Sequence, residues 1–171
     1  VADGEREALI DPLELDHGDL TPLFEVFDDP SVVKILHSAR NDIGEIDRDY
    51  GVGFTNLFDT QVAARFLNTE RNSLAWMLEE LIGVETGKQF KRFDWTTRPL
   101  PEKARRYAVK DVRYLETLRR GFRQALKKRD WLEPVKQQCE YIAESVTFQP
   151  NEFDPEDWRA LQGNKTLDGP A

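Results

Sequence analysis

Asp111 and Tyr107 are the side chains whose types and spacing most clearly permit chemistry. Apolar residues recur at intervals of three and four from Ala104 to Ala125, and position 111 of this stripe is an aspartate. A carboxylate in a core-facing row is unfavourable unless it is paired, hydrogen-bonded or bound to a cation. Tyr107 lies one helical turn earlier, so its hydroxyl and the carboxylate can reach one point. The alternatives are an Asp111 at a wet edge of the stripe, or one paired with a neighbouring arginine.

Asp42 and His37 are candidates because of a predicted buried strand over residues 32–37: His37 is at its end, and Asp42 lies just after it. In open α/β sheets, ligands bind at the carboxyl ends of the strands, where both residues would lie. Each also has a structural explanation. An acid in the first turn of a helix complements the helix dipole, and His37 can be a hydrogen-bonded core residue.

Trp95 and Arg98 lie close together in the segment DWTTRPL, residues 94–100. An indole can stack on a base, and a guanidinium can form a forked contact with a phosphate. The alternative is a Trp95 that closes the core and an Arg98 that caps it.

The cysteine and histidine content restricts the kinds of metal site that are possible. Cys139, His17 and His37 are the only such residues, too few for a zinc cage of Cys and His ligands. Any metal must therefore be held by carboxylates. We expect Cys139 to be a small apolar filler.

Charge is distributed unevenly along the chain. The net charge is −8 from 24 basic and 32 acidic residues, yet residues 88–129 carry fifteen Lys and Arg against four acids, about +11. The rest is therefore about −19. This basic segment (residues 88–129) indicates a nucleic-acid face on an otherwise repulsive body; the alternative is a solvated helix face.

Length and hydropathy indicate one globular domain without a membrane span. The chain has 171 residues, and no apolar run approaches the ~20 residues that cross a bilayer. Residues 1–6 have neither a basic start nor an apolar stretch, so we expect no secretory signal and a cytoplasmic protein.

Strand and helix patterns alternate along the chain, which favours an α/β layer fold. Residues 148–171, rich in Pro, Asn, Asp and Gly, are predicted to form a linker or tail, so the domain covers residues 1–147. The other predicted elements are a hairpin turn at residues 3–4 through which the chain opens inside a sheet, strands over 32–37 and 57–58, and helices over 38–50, 59–67, 74–82, 101–128 and 135–146.

Four segments, in their order and spacing, resemble the ribonuclease D family of 3′→5′ exonucleases. These are KILHSARNDIGEIDRDY at 34–50, LFDTQVAARF at 57–66, DWTTRPL at 94–100 and YAVKDVRYL at 107–115. Residues 154–167 also look like the family's link toward a C-terminal helical domain. The resemblance implies a ribonuclease H-like α/β fold, a mixed sheet flanked by helices. It also implies a site of three Asp and one Glu that holds two divalent metals, Mg²⁺ or Mn²⁺.

The resemblance assigns a role to each matched residue. Asp42 matches the acid of the second motif and Asp111 that of the third, so both would hold metal. Tyr107, four residues before Asp111, places the chain in the tyrosine subclass and would orient the attacking water. Two metals can activate that water and stabilise the leaving 3′ oxygen, which would release nucleoside 5′-monophosphates one at a time.

The implied substrate is a single-stranded RNA 3′ end, with tRNA precursors as the family's expectation. The basic segment would draw the strand toward the site, with Lys91, Arg92, Trp95 and Arg98 as contacts. His37 is a further candidate contact. DNA stays open as a substrate, since no residue visibly reads a 2′-hydroxyl.

The first motif of the family has no counterpart in its usual place. That motif is an apolar strand carrying Asp-x-Glu, it supplies the other two acids, and it precedes the segment that resembles residues 1–12. Asp3 and Glu5 have the spacing, but they fall in a predicted turn. We therefore expect an N-terminally truncated exonuclease domain that is inactive or nearly so alone, without the C-terminal helical domain.

Two rival hypotheses belong to other classes. A non-enzymatic nucleic-acid-binding or interaction module needs only the basic segment and treats the two aspartates as relics. A structural acidic partner domain ignores the basic segment. Metal dependence separates the exonuclease from simple binding, which needs only low salt. The oligomeric state stays open.

Overall fold

Helices alternate with two short strands in the computed structural model, which describes residues 1–85, 90 and 93–146. The linker predicted over 148–171 lies outside the described residues. The elements are α1 (His17–Asp28), β1 (Lys34–Leu36), α2 (Arg40–Tyr50), β2 (Leu57–Asp59), α3 (Thr60–Phe66), α4 (Leu74–Met77) with a π-helical turn (Leu78–Ile82), α5 (Glu102–Arg113), α6 (Leu115–Lys127) and α7 (Leu132–Ser145).

The strands β1 and β2 pair in parallel through the crossover helix α2. Their register places Lys34 opposite Leu57 and Leu36 opposite Asp59. The predicted strand over 32–37 is therefore shorter, and the prediction of an α/β fold is confirmed. Because the strands are parallel, both carboxyl ends reach one edge of the sheet, which we call the carboxyl edge.

The N-terminal residues form the predicted tight turn. Val1 O accepts a hydrogen bond from Ala8 N at 3.0 Å, and Ala2 and Glu7 form an isolated antiparallel bridge. Backbone N–H groups of the turn hold the pKa of Asp3 at about 2. Within the described residues this bridge is separate from the β1–β2 pair, so the prediction that the chain opens inside that sheet is wrong.

Helix α1 was not among the predicted elements, although its sequence carries a start signal. Asp16 and Asp19 form a capping box, in which each side chain accepts a hydrogen bond from the other's backbone N–H. Leu20, Phe24 and Phe27 follow at helical spacing. Such reciprocal carboxylates before an apolar stripe were the signal for this helix.

The single long helix predicted over 101–128 is wrong. Tyr114 leaves helical geometry at φ −102° and ψ 1° and separates α5 from α6. No Gly or Pro marks the break. Instead α6 takes its direction from tertiary packing, because its buried Leu118 and Phe122 belong to the core that α3 and the sheet share.

Helix α4 continues into a π-helical turn, which changes the predicted apolar stripe of residues 74–82. Met77 and Leu78 are buried, whereas Leu81, predicted to share their face, is 48% exposed. The wider π turn rotates the following residues relative to α-helical spacing. Membership of Leu81 in that stripe is therefore a wrong prediction.

The core lies between the sheet and helices α3, α6 and α7. Its largest fully buried side chains are Ile43, Met77, Leu78, Leu126, Val135, Thr60 and Cys139. Burial raises the pKa of the Cys139 thiol to about 11, and its Sγ accepts a hydrogen bond from Asp59 N at 3.3 Å. The filler role predicted for Cys139 is confirmed. None of the described helices combines the length and apolarity needed to cross a bilayer.

Leu126→Ala should lower the free energy of unfolding by about 2–5 kcal/mol, because the side chain is fully buried and its removal leaves a cavity. Leu81→Ala removes the same atoms from an exposed position and should cost less than about 0.5 kcal/mol. Urea unfolding followed by circular dichroism measures both. Equal costs would contradict the packing of α6 against the core.

Candidate active site at the carboxyl edge of the sheet

The buried Asp59 carboxylate joins the two turns at the carboxyl edge. Its Oδ1 accepts hydrogen bonds from Ser38 N at 3.0 Å and Gln61 N at 2.7 Å, and its Oδ2 accepts one from Ala39 N at 2.8 Å. Val62 N adds a longer contact at 3.4 Å. One side chain thereby caps α3 and holds the chain that enters α2.

Sequence reasoning placed Asp59 only at a helix start and missed this second role. Ser38 takes a left-handed φ of 61°, which costs a residue with a Cβ roughly 1–2 kcal/mol. The hydrogen bond from Ser38 N to Asp59 stabilises that conformation. The signal in the sequence was an Asp-Thr pair between a strand and a helix. Ser38, the partner of Asp59 that lies 21 residues earlier, has no sequence feature that indicates this contact.

His37 is held in one tautomer by Thr60. The Thr60 hydroxyl donates to Leu36 O at 3.1 Å, and His37 Nδ1 lies 3.0 Å from the same oxygen, Oγ1. Because the hydroxyl has one proton, its oxygen accepts from Nδ1–H, which leaves Nε2 of the neutral ring as an acceptor. Burial lowers the pKa of His37, with the Asp59 charge opposing this and Arg65 adding to it.

Asp42 lies in the first turn of α2, directly after the turn that Asp59 holds. The residue is partly open to solvent, yet desolvation of its carboxyl raises its pKa, and the charges of Glu45 and Asp59 raise it further. A carboxylate in such an acidic neighbourhood favours a bound cation more than an isolated helix-capping acid does.

Asp111 and Tyr107 lie on α5, as the spacing predicts, and both are half-buried. Desolvation raises the pKa of Asp111, and Lys110 opposes the shift. The pKa of Tyr107 is raised by burial and by the Asp111 charge, so the two groups interact. Across residues 1–85, 90 and 93–146, no ion pair to Asp111 occurs, so the alternative of an arginine partner is not found there.

Aromatic rings connect Tyr107 to the segment that precedes α5. The Tyr107 centroid lies 5.4 Å from Phe90 and 6.3 Å from Trp95, and Phe93 lies 5.2 Å from Trp95. Trp95 is 39% exposed. It therefore does not close the core, and an exposed aromatic side chain lies near Tyr107.

Arg98 already forms an ion pair and hydrogen bonds with other residues of the chain. It forms an ion pair with Asp11, and its Nη1 donates to Trp95 O and Thr97 O at 2.8 Å each. The guanidinium therefore ties the N-terminal segment to the loop of Trp95. The other two predicted contacts, Lys91 and Arg92, lie outside the described residues.

The structure brings some of the predicted site residues together. Tyr107 interacts with Asp111 and with Trp95, and Asp42 interacts with Asp59. Among the described residues, no hydrogen bond or ion pair joins Asp42 to Asp111. In the part of the chain that is described, no group of three or more His, Cys, Asp and Glu side chains is arranged to hold a metal ion.

Several cations of the basic segment are paired within the helices. Glu102 pairs with Arg105 and Arg106, and Glu116 pairs with Arg119 and Arg120. Arg113 reaches across the fold to Glu7.

Comparison with known proteins shows the family to which this chain belongs. The sequence profile of a 3′-5′ exonuclease domain matches residues 1–127. The chain belongs to this 3′-5′ exonuclease family. The solved structure of Escherichia coli RNase D, described as an exoribonuclease involved in structured RNA processing, has a TM-score of 0.78 and 34% identity, covering 92% of this chain and 41% of that one.

Two curated relatives support the same membership of the exonuclease family. The chain is 41% identical over 133 residues to exosome complex component 10 of Rattus norvegicus, covering 78% of this chain and 15% of that protein. It is 38% identical over 135 residues to ribonuclease D of Pseudomonas paraeruginosa, covering 77% and 35%. The ribonuclease H-like exonuclease fold and the resemblance to ribonuclease D are thereby confirmed. The chain spans well under half the length of each relative.

Asp59→Asn should lower the free energy of unfolding by about 2–4 kcal/mol, because one oxygen becomes an NH₂ group that faces N–H donors instead of accepting from them. Asp49→Asn is the control, since the polar partner of this exposed acid among the described residues is its neighbour Arg48, in a surface pair. Thermal unfolding measures both. A loss no greater than in the control would contradict the role given to Asp59.

His37 should make stability depend on pH. Its folded pKa is lowered by burial, so the unfolded chain binds the proton more readily. Stability is then full above the unfolded pKa of about 6.5 and falls as the pH drops below it. His37→Gln removes this dependence, so the stability difference between wild type and variant should shrink from pH 7.5 to 5. A constant difference in urea unfolding would disprove the assignment.

Proposed function

We propose that this chain contributes to a metal-dependent exonuclease that removes nucleotides one at a time from RNA 3′ ends. The observation that carries the proposal is the pairing of Tyr107 with a half-buried Asp111 for which no ion pair occurs within the described residues, in a chain of the 3′-5′ exonuclease family. RNA is favoured as the substrate class by the ribonuclease names of the relatives.

Asp42 and Asp111 would hold Mg²⁺ or Mn²⁺. The donor set fits a hard divalent cation, because both groups are carboxylates whose pKa is raised by desolvation and, at Asp42, by neighbouring acids. When bound, two such metals activate water and stabilise the leaving oxygen in phosphodiester hydrolysis. Asp59 acts indirectly here, since it holds the turn from which α2 and Asp42 begin.

Tyr107 would orient the attacking water through its hydroxyl. Burial and the Asp111 charge raise the pKa of the phenol, so it stays protonated at neutral pH and can donate a hydrogen bond. The exposed Trp95 beside it offers a ring on which the terminal base can stack. Arg98, fixed by Asp11, keeps that loop in place.

His37 would contact the sugar of the terminal nucleotide. Its Thr60 hydrogen bond leaves Nε2 as an acceptor, which suits a ribose hydroxyl. Lys91 and Arg92 would contact the phosphates. Transfer-RNA precursors and a cytoplasmic location are the finer parts of this proposal, and DNA is the competing substrate.

A nucleic-acid-binding module without catalysis is the second candidate function. It is favoured by the absence, across the described ranges, of three or more side chains arranged around one metal position. We also propose that this chain alone has little or no exonuclease activity, because Asp42 and Asp111 by themselves bind metal weakly.

Mn²⁺ titration, followed by electron paramagnetic resonance, tests the metal site directly. The chain should bind Mn²⁺, and Asp111→Asn should weaken binding by at least about tenfold. Asp130→Asn is a matched control, because Asp130 has the positive φ of 54° that Asn tolerates and lies outside the proposed site. Equal affinity of wild type and Asp111→Asn would overturn the assignment of Asp111.

Digestion of a 5′-labelled single-stranded RNA in Mn²⁺ separates the two functions. A weak 3′-shortening ladder that disappears in EDTA, Asp111→Asn and Tyr107→Phe supports the exonuclease. A strong ladder with the same controls supports it too but disproves the low activity of the chain alone. RNA retention at low salt with neither a ladder nor Mn²⁺ binding favours the binding module.

A further inference from the structure

A second surface feature lies at the opposite, amino edge of the sheet. A groove of about 370 Å³ opens there, beside Val33 and Asn56, which precede β1 and β2. His37 follows β1 and Asp59 is the last residue of β2, so this groove is separate from the proposed active site. We call it the amino-edge groove, and its lining consists of Val33, Asn56, Leu57, Phe58, Arg119, Arg123, Leu132, Glu133, Val135 and Lys136.

Arg119 lines the groove with a guanidinium that does not use all of its hydrogen-bond donors. Its side chain is only 15% exposed, its Nη1 pairs with Glu116, and the guanidinium lies over the Phe58 ring at 5.9 Å. Its Nε is buried and has no hydrogen-bond partner among the described residues. A buried N–H without an acceptor is unfavourable, so the guanidinium of Arg119 keeps unused hydrogen-bonding capacity at the groove.

Two further cations line the same groove and are available to a ligand. Arg123 is exposed, lies one helical turn after Arg119 and forms no ion pair with any residue in the described ranges. Lys136 pairs with Glu140 at 3.4 Å, an exposed pair that contributes little to stability, so its ammonium can turn to another anion. Glu133 is the one carboxylate in the lining, against three cations.

The inner wall of the groove is apolar. Leu57 and Val135 are buried beneath it, and Phe58 and Leu132 are half-buried. A simple inorganic anion would not pack against this apolar wall. A nucleotide fits both features of the groove, because its phosphate binds cations and the apolar surface of its sugar and base can contact the wall. The volume lies in the range of about 300–1,000 Å³ that is typical of small-molecule sites.

We propose that the amino-edge groove binds single-stranded RNA upstream of the 3′ end, with backbone phosphates on Arg123 and Lys136. The inference rests on the proposed function. Helix α6 begins two residues after α5, which carries Tyr107 and Asp111, and its own Arg119 and Arg123 line the groove. Exposed cations continue along α6 at Arg120 and Lys127. Repeated cations match the repeated charge of a nucleic-acid backbone, which favours RNA over an acidic protein segment.

Fluorescence anisotropy in EDTA tests the groove without hydrolysis. Labelled RNAs of about 4 and about 16 nucleotides are compared. The shorter RNA covers only the proposed active site, whereas the longer RNA can also reach the groove. Arg123→Gln combined with Lys136→Gln should weaken binding of the longer RNA by about 5- to 25-fold at 0.1 M salt. The slope of log K against log salt should fall by about 0.7 for each phosphate that the variant no longer neutralises. Binding of the shorter RNA should change by less than about twofold.

Arg6→Gln combined with Arg71→Gln is the matched control, since these exposed arginines lie outside the basic segment and are not among the residues that line the groove. An equal loss in this control would mean general electrostatic attraction and would overturn the proposal. So would unchanged binding in the groove variant, or no RNA binding by the wild type. A poly-glutamate peptide that binds as tightly and responds equally to the groove variant would reassign the groove to an acidic protein partner.

The outcomes also separate this proposal from the proposed function. Binding in EDTA does not require metal or Asp111, so a failed Mn²⁺ titration leaves a positive groove result intact. Conversely, a groove variant that binds RNA normally leaves the role of Asp111 unaffected.

Discussion

The hydrogen bonding of one buried carboxylate, Asp59, determines how the rest of this site is arranged. The sheet has two described strands of three residues each, too short to fix the turns that leave them. Asp59 accepts backbone N–H groups from both turns, and Thr60 beside it accepts from His37 and donates to Leu36 O. The first turn of α2, with Asp42, therefore has a defined position at the carboxyl edge.

Acidic and basic side chains are concentrated in different parts of the molecule. Asp42 lies at the carboxyl edge near the buried Asp59, and desolvation raises the pKa of Asp42 and, on α5, of Asp111. Cations follow on α5 and α6, and some are neutralised by acids of the same helix, notably Glu102 and Glu116. A body with a net charge of −8 thus repels polyanions except along one basic segment.

Long-range contacts hold the N-terminal segment against the basic one. Arg98 pairs with Asp11, and Arg113 pairs with Glu7, so two acids from the first residues meet two arginines that flank α5. Arg98, which is predicted to contact substrate, thus also joins the loop of Trp95 to the N-terminal segment.

The sequence by itself determined the elements whose signals are local. Alternating patterns predicted β1, β2, α2, α3 and α7, and four segments with their spacing identified the family and named Asp42, Tyr107 and Asp111. The four-residue spacing of Tyr107 and Asp111 predicted their interaction, because helix geometry alone places such residues on one face.

Only the tertiary structure decided the rest. The break at Tyr114 and the π turn that exposes Leu81 follow from packing against other elements, which has no local mark in the sequence. The double role of Asp59 and the engagement of Arg98 with Asp11 join residues 20 to 87 positions apart. A periodic pattern encodes one helix face or strand face at a time, whereas these contacts exist only after several faces have packed together.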